Sequence, residues 1–144
     1  MRLLYTIMVS KRRIWLPASS KRTKLKVSNP VKLVLKEKAD EIIESVIKPQ
    51  HIKPPSTDND FNYLVDVYSK WHQNYFYFCA QYNCPSPNAI SPSFEAKFAR
   101  MEYVGDDKFN LSYMRHTGQW CEIYQKLPML ECLKLIAEEP YFIP

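Results

Sequence analysis

The sequence predicts an α+β fold: a five-stranded antiparallel sheet, made of a hairpin plus a three-stranded meander, flanked by an N-terminal and a short C-terminal helix. Three observations carry this. Apolar residues follow the helical period from Val31 to Val46, switch to a period of two from Phe61, and return to the helical period after Pro128. Ten Tyr, seven Phe and three Trp favour sheet over a helical bundle. The chain has only two glycines, where average usage would give about ten, and both lie between aromatic runs where hairpins need positive φ. Both helices are expected on one face of the sheet.

In chain order, residues 1–28 show no sustained period and are rich in Ser, Lys and Arg around one apolar knot, Ile14-Trp15-Leu16. We read them as a basic, disordered arm, with residues 29–144 as a single α+β domain. Met8 is a second candidate start. A helix then begins with Ser28 or Asn29 as cap and Pro30 in its first turn. Val31, Leu35, Ala39, Ile42, Ile43 and Val46 form its apolar stripe, and Pro49 is expected to end it at Lys48. A proline-rich connector follows from Gln50 to Asp60.

The first strand should place Phe61, Tyr63, Val65, Val67 and Trp71 on one face, with Asn62, Asp66 and Lys70 on the other. After a turn at His72-Gln73-Asn74, Tyr75–Tyr82 is aromatic on both faces, the pattern of a central strand covered on both sides. The three prolines of Asn83–Ser93 make that segment a loop. The meander strands are Phe94–Val104, Phe109–Arg115 and Gln119–Gln125. The first changes phase between Phe98 and Met101, so a bulge near Ala99 or Arg100 is expected. In the third, Trp120 and Tyr124 should share a face. A helix from Pro128 to Glu139 closes the order α-β-β-β-β-β-α.

The net charge of +5 conceals two opposite parts. Residues 1–38 carry eleven Lys/Arg and one acid, +10, and residues 39–144 carry nine Lys/Arg and fourteen acids, −5. Clustered cations bind phosphates by releasing counterions, whatever the base sequence. Lys11, Arg12, Arg13, Lys21, Arg22, Lys24 and Lys26 are therefore the candidate nucleic-acid contacts, with exposed sheet aromatics as a further stacking surface.

Two isolated glycines exclude a G-x-S-x-G nucleophile turn and glycine-rich phosphate loops, and with them most nucleotide-dependent chemistry. Cys79-x4-Cys84 opens like a zinc site, yet Cys121, Cys132 and the three histidines supply no second close pair. Cys79 and Cys84 are an odd number of residues apart, hence on opposite faces of a strand. Buried thiols are the simpler account, and no metal or cofactor is expected. Glu95-Ala96-Lys97 with Asp66 resembles the acid-plus-E-x-K pattern of restriction-like nucleases, in which acids hold Mg²⁺ and a lysine polarises water. The likeness covers three residues of a common pattern, and a hairpin follows where those nucleases place a helix. Arg115, His116, Gln119 and Trp120 gather at one hairpin tip and form a candidate recognition rim.

No stretch approaches the roughly 20 apolar residues of a membrane span. The apolar start MRLLYTIMV runs into Lys11-Arg12-Arg13 without a convincing cleavage site. The expected location is cytoplasmic, with reduced thiols.

The sequence thus points to a non-enzymatic interaction domain, with nucleic acid as its ligand if residues 1–28 are a working arm rather than a solubilising tail or translation from upstream of the true start. Two alternatives stand beside it: a metal-dependent nuclease using Asp66, Glu95 and Lys97, and a protein-binding module or homodimer pairing through sheet edges.

The stretch FEAKFARMEYVG..KFNLSYMRHTGQWCEIY, followed by PMLECLKLIAEEPYF, resembles short uncharacterised prokaryotic proteins. They share an aromatic-Arg strand, a glycine hairpin with a Trp, and a short helix ending in a Pro-aromatic tail. The resemblance covers roughly residues 30–144 and implies a bacterial, soluble, single-domain protein; it implies no activity.

Overall fold

The computed structural model describes residues 25–54 and 61–144. Helix α1 (Asn29–Ile42) starts after Ser28, whose extended backbone leads into Pro30 in the first turn. Pro at that place loses nothing, because its missing N–H is one the helix leaves unpaired. The helix does not stop at Lys48. A π-helical turn, Ile43–Ile47, carries it into a last α turn, α2 (Lys48–His51), with Pro49 in that turn's first positions. The wider π turn relieves the clash that a proline ring makes with the carbonyl four residues back.

Five strands follow: β1 (Tyr63–His72), β2 (Tyr75–Asn83), β3 (Ser93–Gly105), β4 (Lys108–Met114) and β5 (Trp120–Pro128). They form one antiparallel sheet in the order β1-β2-β3-β4-β5. Helix α3 (Met129–Glu138) and a 3₁₀ turn, Pro140–Phe142, complete the described chain. Gly105 (φ +94°) and Gly118 (φ +85°) sit at the β3–β4 and β4–β5 hairpins, as the sequence predicts.

The core lies between the helices and one face of the sheet. Leu35, Ala39, Ile43 and Ile47 from the first helix, and Cys132, Leu133 and Ile136 from α3, meet Val67, Phe76, Phe78, Met101, Phe109 and Leu111. Polar bonds fix the angle of α1 on β1. Trp71 Nε1 donates to Lys32 O at 3.1 Å, Lys36 Nζ donates to Ser69 O at 2.8 Å, and the Ser69 hydroxyl donates to Asp40 Oδ1 at 2.6 Å. The Pro-aromatic tail is a plug: Phe142 is buried in the core, edge-on to Tyr113.

The ladders carry five register shifts, and three of them bear on the strand facing expected from the sequence. In β3, Lys97 and Ala99 oppose consecutive residues of β2, leaving Phe98 as the extra residue. This is the phase change expected next door, at Ala99 or Arg100. In β5, Leu111 pairs with Tyr124 while Ser112 pairs with Glu122, so Ile123 is extra. Trp120 and Tyr124 therefore do not share a face. A third irregularity, at Val65 of β1, breaks the period-two pattern, and Phe61 is exposed rather than aligned with Val67 and Trp71. Each inserted residue reverses the facing of everything beyond it.

Among the described residues no helix is long and apolar enough to cross a membrane.

Candidate functional site

With both helices on one face, the other face of the sheet is left for side chains that bear chemistry. The register assigns it residue by residue. Tyr68 and Lys70 of β1 oppose Cys79 and Tyr77 of β2, and His72 opposes Tyr75. Cys79 and Tyr77 oppose Lys97 and Arg100 of β3, and Tyr75 opposes Glu102. Arg100 opposes Ser112 of β4, Ser112 opposes Glu122 of β5, and Met114 opposes Trp120.

The centre of this face is a stack of rings and cations. The Arg100 guanidinium lies 4.7 Å from the ring centroids of both Tyr75 and Trp120. Tyr77 stands 6.0 Å from Tyr75 and 5.9 Å from Trp120, and Lys97 Nζ lies 5.5 Å over its ring. A planar guanidinium between aromatic faces gains both cation–π attraction and stacking area. Arg100 Nε is buried with no hydrogen-bond partner among the described residues, and the Tyr75 and Trp120 rings flank its guanidinium.

Beside the stack is a charge cluster. Glu95 accepts hydrogen bonds from Tyr68 Oη, from Lys70 Nζ at 3.0 and 3.2 Å, and from Lys97 Nζ at 3.3 Å. The Tyr68 hydroxyl and then the lysines hold its carboxyl down to about 2, well below the ordinary 4.5. Burial first, then Glu95, push Tyr68 upward, and Glu95 raises Lys70. Burial likewise pushes the Cys79 thiol to about 11, which leaves it protonated and inert at neutral pH. Burial raises Cys132 to about 12.

A carboxyl depressed in the folded state stabilises above its unfolded value, and the stabilisation is lost as pH falls through its folded value. Wild-type protein should thus exceed Glu95→Gln in urea midpoint at about pH 7, and the gap should close between about pH 4.5 and about pH 2. A gap that stays constant over that range would show that Glu95 has no such linkage.

The residues singled out by sequence fall in different places. Glu95 and Lys97 are joined in the cluster. Asp66 lies on β1 and pairs with Lys48 at 3.0 Å, while Lys48 also holds Glu44 at 2.6 Å. Among the described residues no three His, Cys, Asp or Glu side chains are grouped to hold a metal ion. Arg115, His116 and Gln119 are exposed at the β4–β5 tip, where Arg115 N donates to Gln119 O at 2.9 Å; Trp120 turns from the tip onto the open face. Lys11, Arg12, Arg13, Lys21, Arg22 and Lys24 lie outside the described residues. Lys26 is exposed and lines a cleft of about 740 Å³ with Asn29, Lys32, Asn74, Tyr75 and Glu102. The first described residues therefore border the ring stack at Tyr75.

Tyr75, Tyr77 and Arg100 escape a site reading based on sequence motifs. A usable signal is the alternation Tyr75-Phe76-Tyr77-Phe78: phenylalanine needs no polar partner and takes the core side, whereas tyrosine keeps its hydroxyl near water.

The family comparison agrees with an uncharacterised domain. Residues 27–144 match the family described as "Domain of unknown function (DUF3024)", and the chain belongs to it. No curated protein and no solved structure matches the chain.

Proposed function

We propose that the protein is a non-enzymatic domain that binds single-stranded nucleic acid, with bases stacking on the open sheet face and the basic N-terminal arm neutralising phosphates. The observation that carries this reading is the ring stack of Tyr75, Tyr77 and Trp120 interleaved with Arg100 and Lys97. Aromatic rings on an open sheet stack bases without regard to sequence, and cations between them add attraction. Arg100, Lys70 and Lys97 on this face are balanced by Glu95, Glu102 and Glu122, so the face supplies stacking more than charge. Charge comes from residues 1–24, which hold seven Lys/Arg and no acid. That basic stretch leads into Leu25 and Lys26, beside Tyr75.

The test is fluorescence anisotropy with a labelled oligothymidylate and a duplex of the same length. The full chain should prefer the single strand, and Trp120→Ala should lose about 1–3 kcal/mol of binding with its circular dichroism unchanged. Absence of binding at low salt, or equal affinity of the folded variant, would overturn the reading. Mg²⁺-dependent cleavage lost in Glu95→Ala would select the nuclease reading instead. Dimerisation without nucleic-acid affinity would select pairing through a sheet edge.

A further inference from the structure

The charge cluster has a geometry that the stacking reading does not use. Lys70, Trp71, His72, Tyr77 and Lys97 line a cavity of about 350 Å³ at the β1 edge of the open face, beside the ring stack. Two ammonium groups from non-adjacent strands, β1 and β3, converge here across β2, because Glu95 accepts hydrogen bonds from both. Lys70 and Lys97 keep 44% and 36% of their side-chain surface exposed, whereas Glu95 keeps 27%. The acid is thus the more enclosed member, and the cations are the ones presented to solvent. Two lysines against one carboxylate leave a local charge of +1, while the rest of the face, Arg100 against Glu102 and Glu122, carries −1.

Resting on the nucleic-acid reading, we propose that Lys70 and Lys97, with His72 at the rim, form the seat of a backbone phosphodiester of the single strand whose bases stack on Tyr77 and Trp120. Glu95 draws both ammonium groups together in the absence of ligand and competes with the phosphate for them, so its charge opposes binding. Lys97, over the Tyr77 ring, joins the seat to the stacking surface, since a nucleotide bound there presents phosphate and base to adjacent groups. The ammonium groups act as point charges, which suits a phosphodiester read without regard to base.

The experiment is a salt titration of oligothymidylate binding by the full chain, from about 50 to about 200 mM, for wild type, Lys70→Gln/Lys97→Gln and Glu95→Gln. Each phosphate neutralised on a single strand contributes about 0.7 to the slope of log affinity against log salt. Loss of both lysines should make the slope shallower by about 0.7, the share of one phosphate, and weaken binding about tenfold at low salt. Glu95→Gln should keep the slope and bind more tightly, because the cations remain and an opposing charge is gone. If wild type binds and the double variant keeps the wild-type slope, the seat is wrong while the stacking reading stands. If Glu95→Gln weakens binding as much as the double variant does, the cluster is a structural clamp and the seat is again wrong. If wild type does not bind at all, both readings fall.

Discussion

Phe78→Ala should cost about 3–5 kcal/mol, the range for truncating a fully buried phenylalanine. Phe78 has no exposed surface and lies near the middle of the central strand pair, 5.5 Å from Phe76 and 6.1 Å from Phe98 by ring centroid. Its cross-strand partners are Ser69 and Ala99, both small, so neither can swing in to fill the space. Collapse of the surrounding sheet is the only other relief, and paired backbone on both sides resists it. Set against the usual total of about 5–15 kcal/mol, that loss leaves a protein partly unfolded near 37 °C. Urea unfolding followed by circular dichroism measures it directly. A loss under about 1 kcal/mol would mean that the helix layer does not pack on β2 as described.

Removal of residues 1–24 should reduce polyanion affinity by about a hundredfold or more at low salt while leaving the melting temperature nearly unchanged. These residues carry seven cations, so the remaining chain goes from +5 to −2 and repels phosphate as a whole. On duplex, four to six contacts from the arm correspond to a salt slope of about −4 to −5. The cut is best placed ahead of Leu25, because Val27 is buried and Leu25 reaches within 3.9 Å of the position a side chain would take at Gly105. Should the shortened protein bind as well as the full chain, the sheet face alone is the reader. Should it lose its cooperative melt, Ile14-Trp15-Leu16 belongs to the core.

The two predictions divide along the line between what the sequence declares and what it conceals. Strand number, helix placement and hairpin glycines are local signals: a period, a cap and a positive φ each need only neighbouring residues. The open face is not local. Whether Trp120 joins Arg100 or Tyr124 depends on one extra residue, Ile123, and nothing in Trp120–Gln125 marks it, because the bulge is defined only against β4. Phe98 was betrayed by a change of phase between two clear apolar sets; Ile123 and Val65 lie in short or mixed patterns and gave no such sign. The E-x-K triplet illustrates the reverse case. Its spacing attracts attention, yet what Glu95 touches, Tyr68 and Lys70 on β1, comes from two strands away and no motif could specify it.

The strand order has a consequence for how the molecule comes into being. Every strand pairs with its predecessor in the chain, so no strand must wait for a distant later segment before its ladder can close. A nascent chain can lay down the sheet in the order of synthesis, one hairpin at a time, with little loop-closure entropy at each step. The apolar face, however, is completed only by later segments: α3 arrives after all five strands, and the core residue Phe142 after α3. The sheet can be early, but a sealed core must be late, and any truncation that removes only the final turn leaves a finished ladder with an open hydrophobic side.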